Sequence, residues 1–194
     1  AFCATLDDLR SRAKALKLFD AADEVERDVL LSRIEGTLYE YRDLRIFERD
    51  PYAHAEALSS QLNLLVIFNF ASKEERLRAA VAKERAVPRF LEGAKRSLKP
   101  TAPILVRYGL MGAEGALSLV RKDLPEAFAG VGSDALRREF AESTRVASEA
   151  LEAYVGWLKT ELAAGDEKAY ALGAERYAGW LRAAERVTTP LAEL

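Results

Sequence analysis

Apolar residues recur along the chain at spacings of three and four rather than two, the period of helices packed on one another. Leu6, Leu9, Ala13 and Leu16 share one face of a helix predicted from Leu6 to Phe19, with Thr5 as N-cap and Asp8 three residues on. Asp23 with Glu26 opens a second helix, whose Val25, Val29, Leu38 and Tyr41 carry an apolar face toward Phe47. Asp50-Pro51 then acts as stop and restart. Proline's missing N–H is harmless in a first helical turn, and Asp50 can cap that turn.

Tyr52, Ala55, Leu58, Leu62 and Leu65 continue the pattern, and from Leu62 to Phe70 the helix is apolar on nearly every side. This stretch is therefore expected to be the most buried of the chain. Its alternation also fits a buried strand, but no second strand-like run exists to pair with it. Ser72 and Glu75 make a capping box for a helix with Leu77, Ala80 and Val81 inward, which Pro88 should break or kink. Val87, Leu91, Ala94 and Leu98 mark the next apolar stripe, ending before Lys99-Pro100.

Thr101 and Pro103 open a helix toward Lys122, with Leu105, Tyr108, Gly112, Ala116 and Leu119 on one stripe. Leu124 to Ser133, with Pro125, Gly130 and Gly132, reads as a loop. A long helix is predicted from Asp134 to about Ala163, carrying Leu136, Phe140, Ala147, Tyr154 and Leu158, with Gly165 ending it and Asp166 capping the next. The last full helix places Tyr170, Ala174, Tyr177, Leu181 and Ala184 on one face and ends near Val187. Thr188-Thr189-Pro190 then resembles a new helix start, an ending expected of a piece of something longer.

These elements predict an all-α fold, an antiparallel array of seven or eight helices in a single helical domain over residues 1–194. The 49% hydrophobic content suffices for a core, and Lys+Arg 29 against Asp+Glu 31 leaves a net charge of −2, which offers nucleic acid and anionic membranes no global attraction. The longest apolar stretch, interrupted by Asn63 and Asn69, is about half the ~20 residues a membrane helix needs. No charged segment followed by an apolar run opens the chain, so a signal peptide is expected to be either absent or already removed. The compartment stays open, with cytoplasm favoured over export.

Catalytic chemistry finds few footholds. Cys3 is the single thiol and His54 the single imidazole, so no zinc set and no Ser or Cys nucleophile with its base can be assembled. His54 is expected on a helix surface. Gly130-Val131-Gly132 lacks the rest of a dinucleotide fingerprint and reads as a turn, and Ser133 beside it lacks a Gly-x-Ser-x-Gly context. Lys83, Arg85, Arg89, Lys95, Arg96 and Lys99 form a basic run interrupted by Glu84 and Glu92, a solvated face rather than a nucleic-acid site. Asp20, Asp23 and Glu24 are read as solvated or capping residues. Gly109, Gly112 and Gly115 recur every three residues inside a helix, where each costs up to about 1 kcal/mol against Ala. Close helix packing offsets that, or else approach by a ligand or another domain.

Several stretches together resemble the amino-terminal helical region of a widespread bacterial family, domain of unknown function 885. They are Leu44-Arg45-Ile46-Phe47 with Asp50-Pro51-Tyr52, then Glu74-Glu75-Arg76-Leu77, then Arg85-Ala86-Val87-Pro88-Arg89-Phe90-Leu91 with Ala94 and Leu98, then Gly173 to Leu181 and Thr188-Thr189-Pro190. The resemblance implies longer parent proteins of zinc-peptidase-like character, whose later part carries a His-Glu helix signature. That signature is absent here, so no catalytic, cofactor-binding or metal-ligating residue carries over, and zinc is implied only for the longer parent. By position, the chain would be a noncatalytic wall of the substrate cleft, with the remaining catalytic part as its partner. Self-association would then occur through an apolar face around Gly109, Gly112 and Gly115 with Tyr177 and Trp180. The alternative is a stand-alone helical interaction module.

Overall fold

The computed structural model describes residues 2–17, 19–162 and 164–194. It is 77% helical, with no strand among the described residues and one isolated bridge between Thr101 and Ala164. The helices are α1 (Phe2–Lys14), α2 (Ala21–Arg42), α3 (Ile46–Arg49), α4 (Pro51–Ile67), α5 (Lys73–Ser97), α6 (Pro103–Ser118), α7 (Leu124–Ala127), α8 (Asp134–Thr160) and α9 (Ala174–Ala184). Seven of them exceed one turn, as the periodicity predicted. None is long and apolar enough to cross a membrane. The chain divides into two compact units, Ala1–Ile46 with Ala171–Leu194, and Phe47–Tyr170.

In the first unit α2 packs on α1 and α9. The first helix begins earlier than predicted, so Thr5 lies within it, and Asp20 rather than Asp23 caps α2 by accepting from Ala22 and Asp23 N–H. Asp23 returns the favour by accepting from Phe19 N–H. Leu31, Ile34 and Leu38 are the buried stripe of α2, while the expected Val25 and Val29 are exposed. At the α2/α9 crossing a Cβ on Gly36 would lie 2.9 Å from that of Ala184, so small residues permit backbone approach there.

The second unit is built on α5 against α8, with α4 on α6 and α6 on α8. Its core runs through Leu62, Leu77, Val87, Leu91, Leu124, Leu151, Tyr154 and Leu158. Pro88 neither ends nor splits α5, which continues to Ser97. A mid-helix proline costs about 3 kcal/mol. Burial of Leu77, Ala80 and Val81 before it and Leu91 and Ala94 after it outweighs that loss.

Leu62–Phe70 corrects a second expectation. Leu62 and Leu65 are buried, but Leu64 is 41% exposed, Ile67 66%, Phe68 55% and Phe70 64%. The helix stops at Ile67, and buried Arg76 closes its end by donating Nη1 to the Leu65 carbonyl at 2.8 Å and the Phe68 carbonyl at 3.2 Å. α8 ends at Thr160, and its predicted end, Ala163, lies outside the described residues. α9 begins only at Ala174, leaving Tyr170 before it.

The capping box forms as expected, Glu75 N–H donating to Ser72 Oγ at 3.2 Å and Ser72 N–H to Glu75 Oε2 at 3.0 Å. Ser72→Ala should therefore lower stability by about 1 kcal/mol in urea denaturation. An unchanged midpoint would show that the box does not hold the start of α5.

Candidate functional site, the seam between α4 and α6

Glycine spacing in α6 sets the seam. A Cβ on Gly109 would sit 2.4 Å from Pro51 Cβ and 3.2 Å from its carbonyl carbon. One on Gly112 would meet Ala55 Cβ and the Tyr52 ring, each at 2.9 Å. The first turns of α4, started by the Asp50 cap at 2.9 Å from Tyr52 N–H, thus lie directly on the α6 backbone. Close packing accounts for Gly109 and Gly112. Gly115 has nothing within 4 Å of a Cβ and opens onto a groove.

That groove, about 280 Å³, is lined from α4 by Tyr52, Glu56, Ser59 and Asn63 and from α6 and beyond by Gly115 and Asp123. Asp123 stands at the end of a π-helical turn, Leu119–Asp123, a widened geometry that recurs at functional sites. On the other side of Tyr52 lies an apolar hollow of about 570 Å³, lined by Asp50, Tyr52, Leu105, Tyr108, Met111 and Gly112. Tyr52 and Gly112 line both. Among the described residues no lysine or arginine lines either hollow.

The seam is therefore acidic and tyrosine-walled. Tyr52 hydroxyl donates to Glu56 Oε2 at 3.3 Å, and the charge of Glu56, then burial, raises the phenol above its ordinary range. Burial pushes the Asp50 carboxyl up, against the opposing pull of the Tyr52 and Ala53 N–H groups and of Arg49 and His54. From α8, Tyr154 is fully buried, and its hydroxyl has no hydrogen-bond partner among the described residues. Burial, and then the Asp50 charge, raise that phenol too.

His54 is not on the surface. It turns into the core between Phe47 and Phe90, ring centroids 5.0 and 6.1 Å away. Its Nε2 lies 2.9 Å from the Phe47 carbonyl, which can only accept, so the proton sits on Nε2. Burial lowers its pKa and favours the neutral ring. Ser133 caps α8 by accepting from Leu136 N–H at 3.3 Å, and Gly130 and Gly132 take φ of 72° and 77° in the turn before it. Among the described residues no group of three or more His, Cys, Asp or Glu is placed to hold a metal ion.

Glu84 is the residue the sequence reading misjudged most. It is no break in a surface run but a fully buried carboxyl between α5 and α8. Ser143 Oγ lies 2.5 Å from Oε2 and 3.0 Å from the Phe140 carbonyl, and Thr144 Oγ1 donates to Oε1 at 3.1 Å. Burial pushes Glu84 up to about 7, against those two hydroxyls. The signal was present, since Glu84 shares the inward stripe of Leu77, Ala80, Val81, Val87 and Leu91. Arg85 and Lys95 of the basic run pair with Glu139 and Glu92.

What the fold defines is an all-α array with two adjoining hollows along the α4/α6 seam. The chain belongs to the family described as "Bacterial protein of unknown function (DUF885)", which matches residues 1–194. It is also similar to the solved structure of "a putative lipoprotein of unknown function from Shewanella oneidensis", with a TM-score of 0.70 and 20% identity, over 91% of this chain and 34% of that one. At that identity the likeness is one of fold, and the chain spans about a third of the longer protein. The chain has no match among curated proteins.

Proposed function

We propose that residues 1–194 form a noncatalytic amino-terminal helical domain of a longer metal-dependent, peptidase-like hydrolase, walling its substrate cleft and packing on its catalytic part. The observation that carries this reading is the uncovered apolar surface of Leu64, Ile67, Phe68 and Phe70, beside a hollow of about 460 Å³ that Leu64, Phe68 and Phe70 help to line. A monomer rarely leaves so many large apolar side chains together in water. The likeness to a structure of which the chain covers 34% supplies room for the part that would cover them. Zinc belongs, in this reading, to that other part, where it would activate a water for peptide hydrolysis. The residues of this chain shape and wall the cleft.

The second reading, a stand-alone interaction module, is favoured by a groove already open between α4 and α6. The gene beyond the codon for Leu194 separates the two. A His-Glu helix motif in the same frame supports the wall, and a stop codon supports the module. In solution, the isolated chain should self-associate with rising concentration in sedimentation, and Phe68→Ser with Phe70→Ser should abolish it. A strict monomer that ignores the rest of the gene product would sink the wall reading.

A further inference from the structure

We propose that the α4/α6 seam docks a polypeptide segment that carries a lysine or arginine beside an apolar residue. The cation enters the groove of Glu56, Ser59, Asn63 and Asp123, and the apolar side chain enters the hollow of Leu105, Tyr108 and Met111. Tyr52 divides the two. This deepens the wall reading by naming the chemistry of the segment, and it rests on that reading for the seam's place in the longer protein.

Charge complementarity selects the occupant. Elsewhere on the second unit Glu114, Glu139, Glu142, Glu149 and Glu152 each meet an arginine or lysine. Glu56 and Asp123, both exposed, meet no such cation among the described residues and line one groove. A concave wall of one sign focuses its field on a charge of the other. Two carboxylates with no third ligand do not make a metal site, and anions, nucleic acid included, are repelled. The apolar hollow, walled by two tyrosines and a methionine, adds what a small cation would leave empty: a seat for a hydrocarbon side chain. Side chains two residues apart share one face of an extended segment, which lets both seats fill at once.

The test titrates the ¹⁵N-labelled chain with acetyl-Ala-Leu-Ala-Lys-Ala-Ala amide and with the same peptide carrying glutamate or norleucine in place of lysine. Expected are shifts of the Gly112 and Gly115 amides with the lysine peptide, and affinity about tenfold above that of the glutamate peptide. Raising salt from about 50 to about 300 mM should narrow that gap. Glu56→Gln with Asp123→Asn should erase the lysine preference. Gly115→Leu should block binding while the chain stays folded, since a Cβ there meets nothing. Equal binding of the three peptides, a lysine preference that survives both sets of substitutions, or no binding at all would overturn the proposal. These outcomes are independent of the gene beyond the codon for Leu194. A His-Glu motif there with no peptide binding removes the docking inference alone, and a stop codon with lysine-selective binding removes the wall reading alone.

Discussion

Gly109→Ala should destabilise the fold by roughly 1–3 kcal/mol, the usual penalty for overpacking a closed contact. The same substitution at Gly115 should stabilise it by up to about 1 kcal/mol. Both glycines lie in α6, six residues apart, so both gain equally from the helix propensity of alanine. They differ in what the new methyl meets. At Gly109 it would lie 2.4 Å from Pro51 Cβ and against the Pro51 backbone, which cannot step aside without moving the start of α4. At Gly115 it meets nothing within 4 Å. Gly112→Ala should fall between them, because one neighbour is the Tyr52 ring, which can rotate, and the other is Ala55 Cβ, which cannot. Urea denaturation followed by circular dichroism reads the series. If Gly109→Ala proves as stable as Gly115→Ala, α4 does not lie on α6 in solution.

Glu84→Gln should flatten the fall in stability between about pH 4.5 and pH 7. The carboxyl is raised from an ordinary 4.5 to about 7 in the folded chain. Below 4.5 it is protonated in both states, and between the two values only the folded chain keeps the proton. The unfolded chain therefore binds fewer protons in that window, and stability declines as pH rises, by about 1.4 kcal/mol per unit or roughly 3 kcal/mol in all.

Hydrogen-bond geometry agrees with a protonated group. The single proton of Ser143 faces two acceptors, Glu84 Oε2 and the Phe140 carbonyl, and both contacts are satisfied when Glu84 donates to Ser143 and Ser143 donates to Phe140. A glutamine amide donates to Ser143 in the same way, and its carbonyl accepts from Thr144. His54 has the opposite sign: its lowered pKa favours the fold above 6.5, and that contribution is lost as pH falls through the folded value. The difference between wild type and Glu84→Gln cancels the His54 contribution. A variant that keeps the full decline would show that the buried proton is carried elsewhere.

Most of the helical array was legible because helices announce themselves locally. The Ser72–Glu75 box, the Asp50-Pro51 start, and the turn at Gly130 and Gly132 each depend on groups within a few residues of one another. The family membership was legible too, since motif order along the chain survives when no single motif is specific. The seam was half legible. Three glycines at helical spacing pointed to a close approach, yet their sequence is identical whether the facing helix touches at 109 or leaves a groove at 115.

By itself, then, the sequence determined the class of fold, where α4, α5, α6 and α8 start, and the family, all of which rest on short-range bonding and on the 3.6-residue period. Tertiary structure decided which apolar faces find a partner. Val25, Val29, Ile67, Phe68 and Phe70 are as hydrophobic as the core and remain exposed, while Glu84, His54 and Arg76 are buried. Burial depends on what another helix brings to the same place: α8 brings Ser143 and Thr144 to Glu84, Phe47 offers its carbonyl to His54, and the end of α4 offers two carbonyls to Arg76. A polar side chain enters a core only when such partners offset its lost hydration, and no spacing within one helix encodes them.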